Sequence, residues 1–309
     1  MDILGARFYY SRFSPEEKAA YDEICQVLRQ WGSHYRTTKY IHIDPTKIIN
    51  GVLCDNPIFF YVDRHHMMLR RSPFLLQIDF RYTYGETATQ KVWGQIGEVL
   101  DDFESAHIKP NMRTLQEQIE IHRFLIANVR YAPYPSDDDC HSIVGALLRG
   151  VCVCEGFAKA YKLMCDRLKI ASIVVMGVGT TPDGQRENHM WNITRIDGVT
   201  AHTDVTWDAA GNCYDYFNLT DEEIAKDHEM EQGLYPKCLP NKMNYFYLNK
   251  AIVRTMDELR SFVAANRDKE QFSVKLLFDF EKSQLYQAGF AQGALRINYA
   301  QGIVEYTKE

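Results

Sequence analysis

The chain has 309 residues, 46% of them hydrophobic, with a net charge of −6 and a sequence pI near 5.9, enough apolar material for a full core in one large domain or two modest ones. With no basic cluster longer than Arg70-Arg71, the acidic balance excludes a phosphate-tracking surface and therefore nucleic-acid binding. No stretch reaches the roughly 18 apolar residues of a membrane span, and eight irregularly placed cysteines without a CxxC pair exclude a disulfide scaffold.

The opening MDILGARFYYSRF lacks the charged start, apolar run and cleavage site of a secretory leader, so a cytoplasmic protein with free thiols is expected. Ser14-Pro15-Glu16-Glu17 then offers an N-cap, a proline at the first helical position and two acids at the positive helix end. Tyr21, Ile24, Cys25, Leu28 and Trp31 follow at helical spacing. Pro57 to Val62 and Pro73 to Tyr84, rich in aromatic and β-branched residues, predict a hairpin turning at His65-His66-Met67. That histidine pair and Met67-Met68 read as a solvated turn. Helices are predicted through Trp93, Ile96, Val99, Leu100 and Phe103, and through Leu115, Ile119, His122, Leu125, Ile126 and Val129, divided by a loop at 107–111.

Ala132-Pro133-Tyr134-Pro135-Ser136-Asp137-Asp138-Asp139 cannot propagate a helix past Pro135 and reads as an acidic, exposed loop. The stretch GVCVCEGFAKAYKLMCDRL, Gly150 to Leu168, places Phe157, Tyr161, Met164, Cys165 and Leu168 on one helical stripe starting near Cys154. Strands follow at Ile170 to Val178, Met190 to Ile196 and Val199 to Trp207, the last two joined at Asp197-Gly198, a strong hairpin signal. A helix at Met256 to Val263 and strands at Ser273 to Phe280 and Leu295 to Tyr306 close the chain. The division expected is an N-terminal α+β region at 1–110, a core at 111–250 and a helix-strand extension at 251–309.

Helical register separates the cysteines. Cys154 falls at the helix start, where unpaired N–H groups and the macrodipole favour a thiolate, whereas Cys165, like Cys25, sits on a core stripe. A thiolate nucleophile needs a base that returns a proton to the leaving group, and an acceptor that holds the base's ring. His189 opens HMWNITRI, 35 residues after Cys154, and Asp204 lies in HTDVTWD, 15 residues further on. Pairing about the turn centre at Asp197-Gly198 makes positions 189 and 204 neighbours or one diagonal step apart.

These residues resemble a family. GVCVCEGFAKAYKLMCDRL, HMWN and DVTWD together are similar to the motifs of the transglutaminase-like superfamily of papain-fold proteins, specifically its bacterial branch of transglutaminase-like proteins and cysteine proteases. The likeness is best from Ile119 to Phe217. It implies an α+β papain-like core, a nucleophile helix packed on an antiparallel sheet, and a catalytic triad of Cys154, His189 and Asp204. Three departures stand out: Phe157 where tyrosine is commoner, the run R-G-V-C-V-C, and Val144 in HSIVGAL where relatives often carry tyrosine. If that tyrosine lines the oxyanion site, the Cys154 backbone N–H is the remaining donor candidate.

The expected function is therefore a cysteine hydrolase, a peptidase or amidase, acting on a peptide or protein substrate through a thioacyl intermediate without a cofactor or metal. An amine-accepting acyl transferase, and a catalytically silent peptide- or protein-binding module, stand as alternatives. Trp191, His202 and Trp207 are candidate substrate-site residues, although each also fits the interior of a sheet protein. Cys152 stays open: with Cys140-His141 it resembles half a zinc site, but Cys154 cannot serve both as nucleophile and as ligand. Glu155 reads as a helix-start acid that can raise the thiol's pKa, and Asp208 as the start of a turn at Ala209-Ala210-Gly211.

Overall fold

A computed structural model describes residues 7–135, 137–240, 242–290 and 293–308. Residues 1–6 of the opening segment and Ser136 of the acidic loop lie outside the described residues. Ser14 caps the helix Pro15–Arg29, and Glu17 returns the bond at 2.8 Å to the Ser14 backbone, closing a capping box. Its apolar stripe, Ala20, Tyr21, Ile24, Cys25 and Leu28, is buried as the spacing predicts.

The first predicted hairpin is displaced. Pro57–Phe59 is a short 3-10 helix, and the real hairpin joins Met68–Ser72 to Leu75–Asp79 across Pro73-Phe74, with His34–Thr37 on the other side of Leu75–Asp79. Burial explains the error: Phe59, Phe60, Tyr61 and Val62 are buried consecutively, whereas a half-buried strand buries every second residue. Val62 alone keeps a bridge, to Tyr82.

The central sheet has the order His228–Met230, Ala171–Thr180, Arg186–Ile196, Val199–Thr203 and Phe217–Leu219, all antiparallel. Asp197 and Gly198 both take positive φ, 50° and 82°, the signature of a tight turn matched to strand twist. The pairs run from Ile196 with Val199 to Asn192 with Thr203, the register the turn centre predicts. The third strand ends early, however. Asp204 to Trp207 leave the sheet, because the Asp204 carboxylate accepts from the Thr206 and Trp207 amides and starts the helix Val205–Gly211.

Against this sheet packs the helix Cys154–Arg167, in which every residue from Glu155 to Cys165 is buried. One continuous apolar cluster joins that helix and the sheet to the N-terminal helices, from Phe8 to Cys238. The class is α+β with a papain-like arrangement of helix on antiparallel sheet, as expected from sequence. A separate cluster between Val253 and Tyr306 underlies a four-stranded sheet in the order Ile252–Val253, Gln271–Leu276, Ile303–Thr307 and Ala294–Asn298. The predicted strand from Leu295 to Tyr306 is thus a hairpin, its turn closed by Gly302 at φ 66°, and the strand predicted from Ser273 to Phe280 stops at Leu276. Among the described residues no helix is long and apolar enough to cross a membrane.

Candidate active site

The nucleophile candidate is set by a crossing of short elements. Val151–Cys152 pairs in parallel with Arg130–Tyr131, and the chain enters through Gly150 at φ 65°, where a Cβ would lie 2.9 Å from the Asn128 carbonyl. The helix then begins at Cys154 with its first turn against the strand: a Cβ on Gly156 would lie 2.6 Å from that of Cys152. Cys152 is fully enclosed and burial pushes its thiol up, while Cys154 alone among the eight cysteines is not buried. The N-cap is Val153, which supplies no side-chain acceptor to the first amides of the helix.

His189 lies on the strand Arg186–Ile196 opposite Gly177. Its Nε2–H donates to Asp204 Oδ2 at 2.7 Å, and the Cys154 thiol lies near enough to act on its pKa. Since Nε2 is engaged by Asp204, Nδ1 is the nitrogen left for the thiol. Burial opposes a charge on His189, but Asp204 and then Cys154 more than offset this and raise its pKa to about 10. Asp204 is itself fully buried; burial alone would raise its pKa, yet His189 and then His228 hold it well below the usual carboxylate range.

Of the three further candidates, Trp207 is partly exposed, with its ring 5.5 Å from that of His189. Trp191 and His202 are buried behind it, at 1% and 0% exposure. Trp191 stacks on His189 at 6.0 Å and donates its indole N–H to His202 Nδ1 at 3.0 Å. The two tryptophans cross the neighbouring strand where it has glycines: a Cβ on Gly177 would lie 2.6 Å from Trp191, and one on Gly179 3.0 Å from Trp207.

Sequence reasoning missed His228. It sits on the edge strand next to Ala171–Thr180, and its Nε2 meets Asp204 Oδ2 at 3.1 Å while its Nδ1 meets Asp227 Oδ1 at 2.7 Å. Nothing in the local pattern of AKDHEM marks it, because the contact depends on sheet order. Sequence also missed Tyr131, half-exposed beside Cys152, whose phenol is raised by burial and by negative charge at Cys154 and Glu187.

Three groups of described residues gather ligand-type atoms within 4.8 Å: His189, Asp204 and His228; His202, Asp221 and Cys238; and Asp63, His66 and Asp138. Hydrogen bonds already account for the second. His202 Nδ1 accepts from a group that only donates, so the ring proton is on Nε2 facing Asp221 at 3.0 Å. His141 has its Nδ1 3.4 Å from Glu155 and its ring 4.6 Å from that of His65.

Several surrounding acids differ from expectation. Glu155 is buried between Arg64 at 2.8 Å and Lys159 at 2.7 Å; against its burial, Lys159, His141 and Arg64 hold its carboxyl well below the usual range. Asp208 does not open a turn but lies fully buried within the short helix, meeting His122 Nε2 at 2.9 Å and accepting from the Tyr216 amide at 2.9 Å. Asp139, expected to be exposed, is 3% exposed, accepting from the Tyr84 hydroxyl at 2.5 Å and pairing with Arg149. Val144 is buried just before a π-helical turn, Gly145–Arg149.

No curated protein matches the chain. Among solved structures, it is similar to a candidate cysteine protease from Cytophaga hutchinsonii, at 14% identity and a TM-score of 0.31, covering 43% of this chain and 52% of that one. It is also similar to a TGase, at 11% identity and TM-score 0.31, covering 56% and 50%. A third is the periplasmic domain of TgpA from Pseudomonas aeruginosa bound to ethylmercury, at 16% identity and TM-score 0.27, covering 49% and 66%. The chain thus spans about half the length of the first two, and TM-scores this low carry no function across. The family model of the Transglutaminase-like superfamily matches residues 105–207, a stretch that contains Cys154, His189 and Asp204.

Proposed function

We propose that the protein is a transglutaminase-like cysteine hydrolase, a peptidase or amidase, with Cys154 as nucleophile, His189 as base and acid, and Asp204 as the residue that orients His189. The observation that carries this reading is the set of neighbours of His189, bonded to Asp204 at 2.7 Å and close enough to Cys154 for the thiol to act on its pKa. The sulfur, as the thiolate whose proton His189 holds, attacks an amide carbonyl. His189 then protonates the departing amine as the C–N bond breaks, leaving a thioester on Cys154. Water, deprotonated by His189, cleaves the thioester and releases the acid and the thiol. The uncapped amides at the helix start supply donors for the developing oxyanion.

The test is competitive labelling with iodoacetamide, read by peptide mass spectrometry, together with incubation of a peptide library and an amine donor. Alkylation of Cys154 far ahead of the seven other thiols, lost in His189→Ala, with new peptide termini, supports the reading. Amine adducts in place of termini redirect it to acyl transfer. Slow, uniform labelling overturns it.

A further inference from the structure

Each ring nitrogen of His228 faces a carboxylate oxygen, Asp227 at 2.7 Å and Asp204 at 3.1 Å. Ionised carboxylates only accept, and a neutral imidazole carries one N–H, so both contacts are satisfied together only by an imidazolium. The ring is 3% exposed and enclosed by Trp207, Trp191, His189 and Tyr216, with centroids at 4.3, 4.9, 5.3 and 5.6 Å. Asp227 is anchored in turn: its Oδ2 accepts from the Tyr216 hydroxyl at 2.7 Å and from Gln301 at 3.3 Å, and Asn298 donates to the Tyr216 oxygen at 3.3 Å. The turn of the C-terminal hairpin therefore holds the far end of the array.

We propose that His228 is a positioning residue for the reaction, an imidazolium that clamps Asp204 opposite His189 and shares the carboxylate's charge with it. The role rests on the function proposed above. Asp204 Oδ2 is the single atom on which both histidines converge, so each cation weakens the other's hold. A base paired with an unshared buried carboxylate would keep its proton; the second cation makes that proton easier to pass to a leaving amine. The groups facing His228 are Asp204 and Asp227, which favour its charge, His189, which opposes it, and the phenol of Tyr216. Burial works against the charge, but the bonds to the two carboxylates prevail and raise its pKa.

The test is an NMR titration of the histidine rings in the full chain, comparing wild type with His228→Gln and Asp227→Asn. Gln keeps a neutral donor for Asp204; Asn removes half of the countercharge of His228. In wild type, His228 is expected to carry two ring protons at pH 7.5. In His228→Gln the His189 midpoint is expected to rise by about one pH unit or more, as befits removal of a like charge at this separation; in Asp227→Asn, which removes one of the two anions facing His228, the His228 midpoint is expected to fall. A purely structural role predicts the reverse for His189, since a loosened Asp204 would let its midpoint fall. A neutral His228 in wild type, an unchanged or lowered His189 midpoint in folded His228→Gln, or an unchanged His228 midpoint in folded Asp227→Asn, overturns the proposal. If one variant fails to fold, the other decides. None of these readouts requires turnover, so failure of the labelling test would discard the enzyme reading separately.

Discussion

The Asp204 carboxylate serves His189 and a helix at once: Oδ2 accepts from His189 Nε2 at 2.7 Å, and Oδ1 accepts from the Thr206 amide at 2.9 Å. Fold and chemistry meet in one side chain, and substitutions there separate the two. Asp204→Asn retains an acceptor for the helix start but loses the charge that stabilises an imidazolium at His189. Its turnover, or its His189-dependent alkylation of Cys154, should fall by about 10³–10⁴-fold. Asp204→Ala also loses the cap, a further cost of about 1 kcal/mol. Urea unfolding of the two variants beside a rate measurement checks both statements.

The raised pKa of His189 has a stability consequence with a definite sign. The folded state binds the proton more tightly than the unfolded chain, whose histidine titrates near 6.5. The resulting stabilisation is fully present below about pH 6.5 and is lost as pH rises through about 10. Urea midpoints measured across that window should fall with rising pH in wild type and fall much less in His189→Gln. Equal slopes in the two proteins would refute the pairing.

Glu155 is the buried anion on which Arg64 and Lys159 converge. Removing it leaves two cations without their partner in a largely enclosed site, which typically costs about 3–5 kcal/mol. Glu155→Ala is therefore expected to lower the urea midpoint sharply, and Glu155→Ala combined with Arg64→Met to recover part of the loss. A double-mutant cycle measures the coupling.

Gly177 admits no side chain without movement, because an added Cβ would lie 2.2 Å from the Glu229 carbonyl and 2.6 Å from the Trp191 ring. Gly177→Ala should destabilise the fold by about 1–3 kcal/mol and displace Trp191 from His189, visible as a changed tryptophan fluorescence and slower Cys154 alkylation. Gly179→Ala, whose nearest neighbour is the Trp207 ring edge at 3.0 Å, should be milder on each measure.

What could be read in the sequence was local or periodic. The Ser14-Pro15 cap, the stripe behind Cys154 and the Asp197-Gly198 turn each follow from a few neighbouring residues, and the turn centre alone set the register that brings His189 toward Asp204. What escaped depends on sheet order or burial. His228 reaches Asp204 from an edge strand that joins the sheet beside Ala171–Thr180, a pairing no adjacent residues encode. Glu155 meets Arg64 across 91 residues. Asp208 and Asp139 looked like loop acids because aspartate usually is one; each is buried because a distant donor awaits it, from His122 and Tyr84 respectively. The Pro57 to Val62 stretch misled for the opposite reason: it is apolar on every side, so composition favoured a strand that periodicity did not support.

The helix Cys154–Arg167 is enclosed on all faces from Glu155 to Cys165, and even Lys159 and Lys162 are drawn inside, at 8% and 1% exposure. An element so placed has no shallow route to solvent: its amides can exchange with deuterium only when the surrounding apolar cluster, from Phe8 to Cys238, opens as a unit. Fraying of the exposed strand Met68–Ser72 or excursions of the C-terminal sheet, which has its own cluster, leave its amides undisturbed. Heat or denaturant would then melt this helix only at the midpoint of global unfolding, so its exchange reports the integrity of the whole assembly.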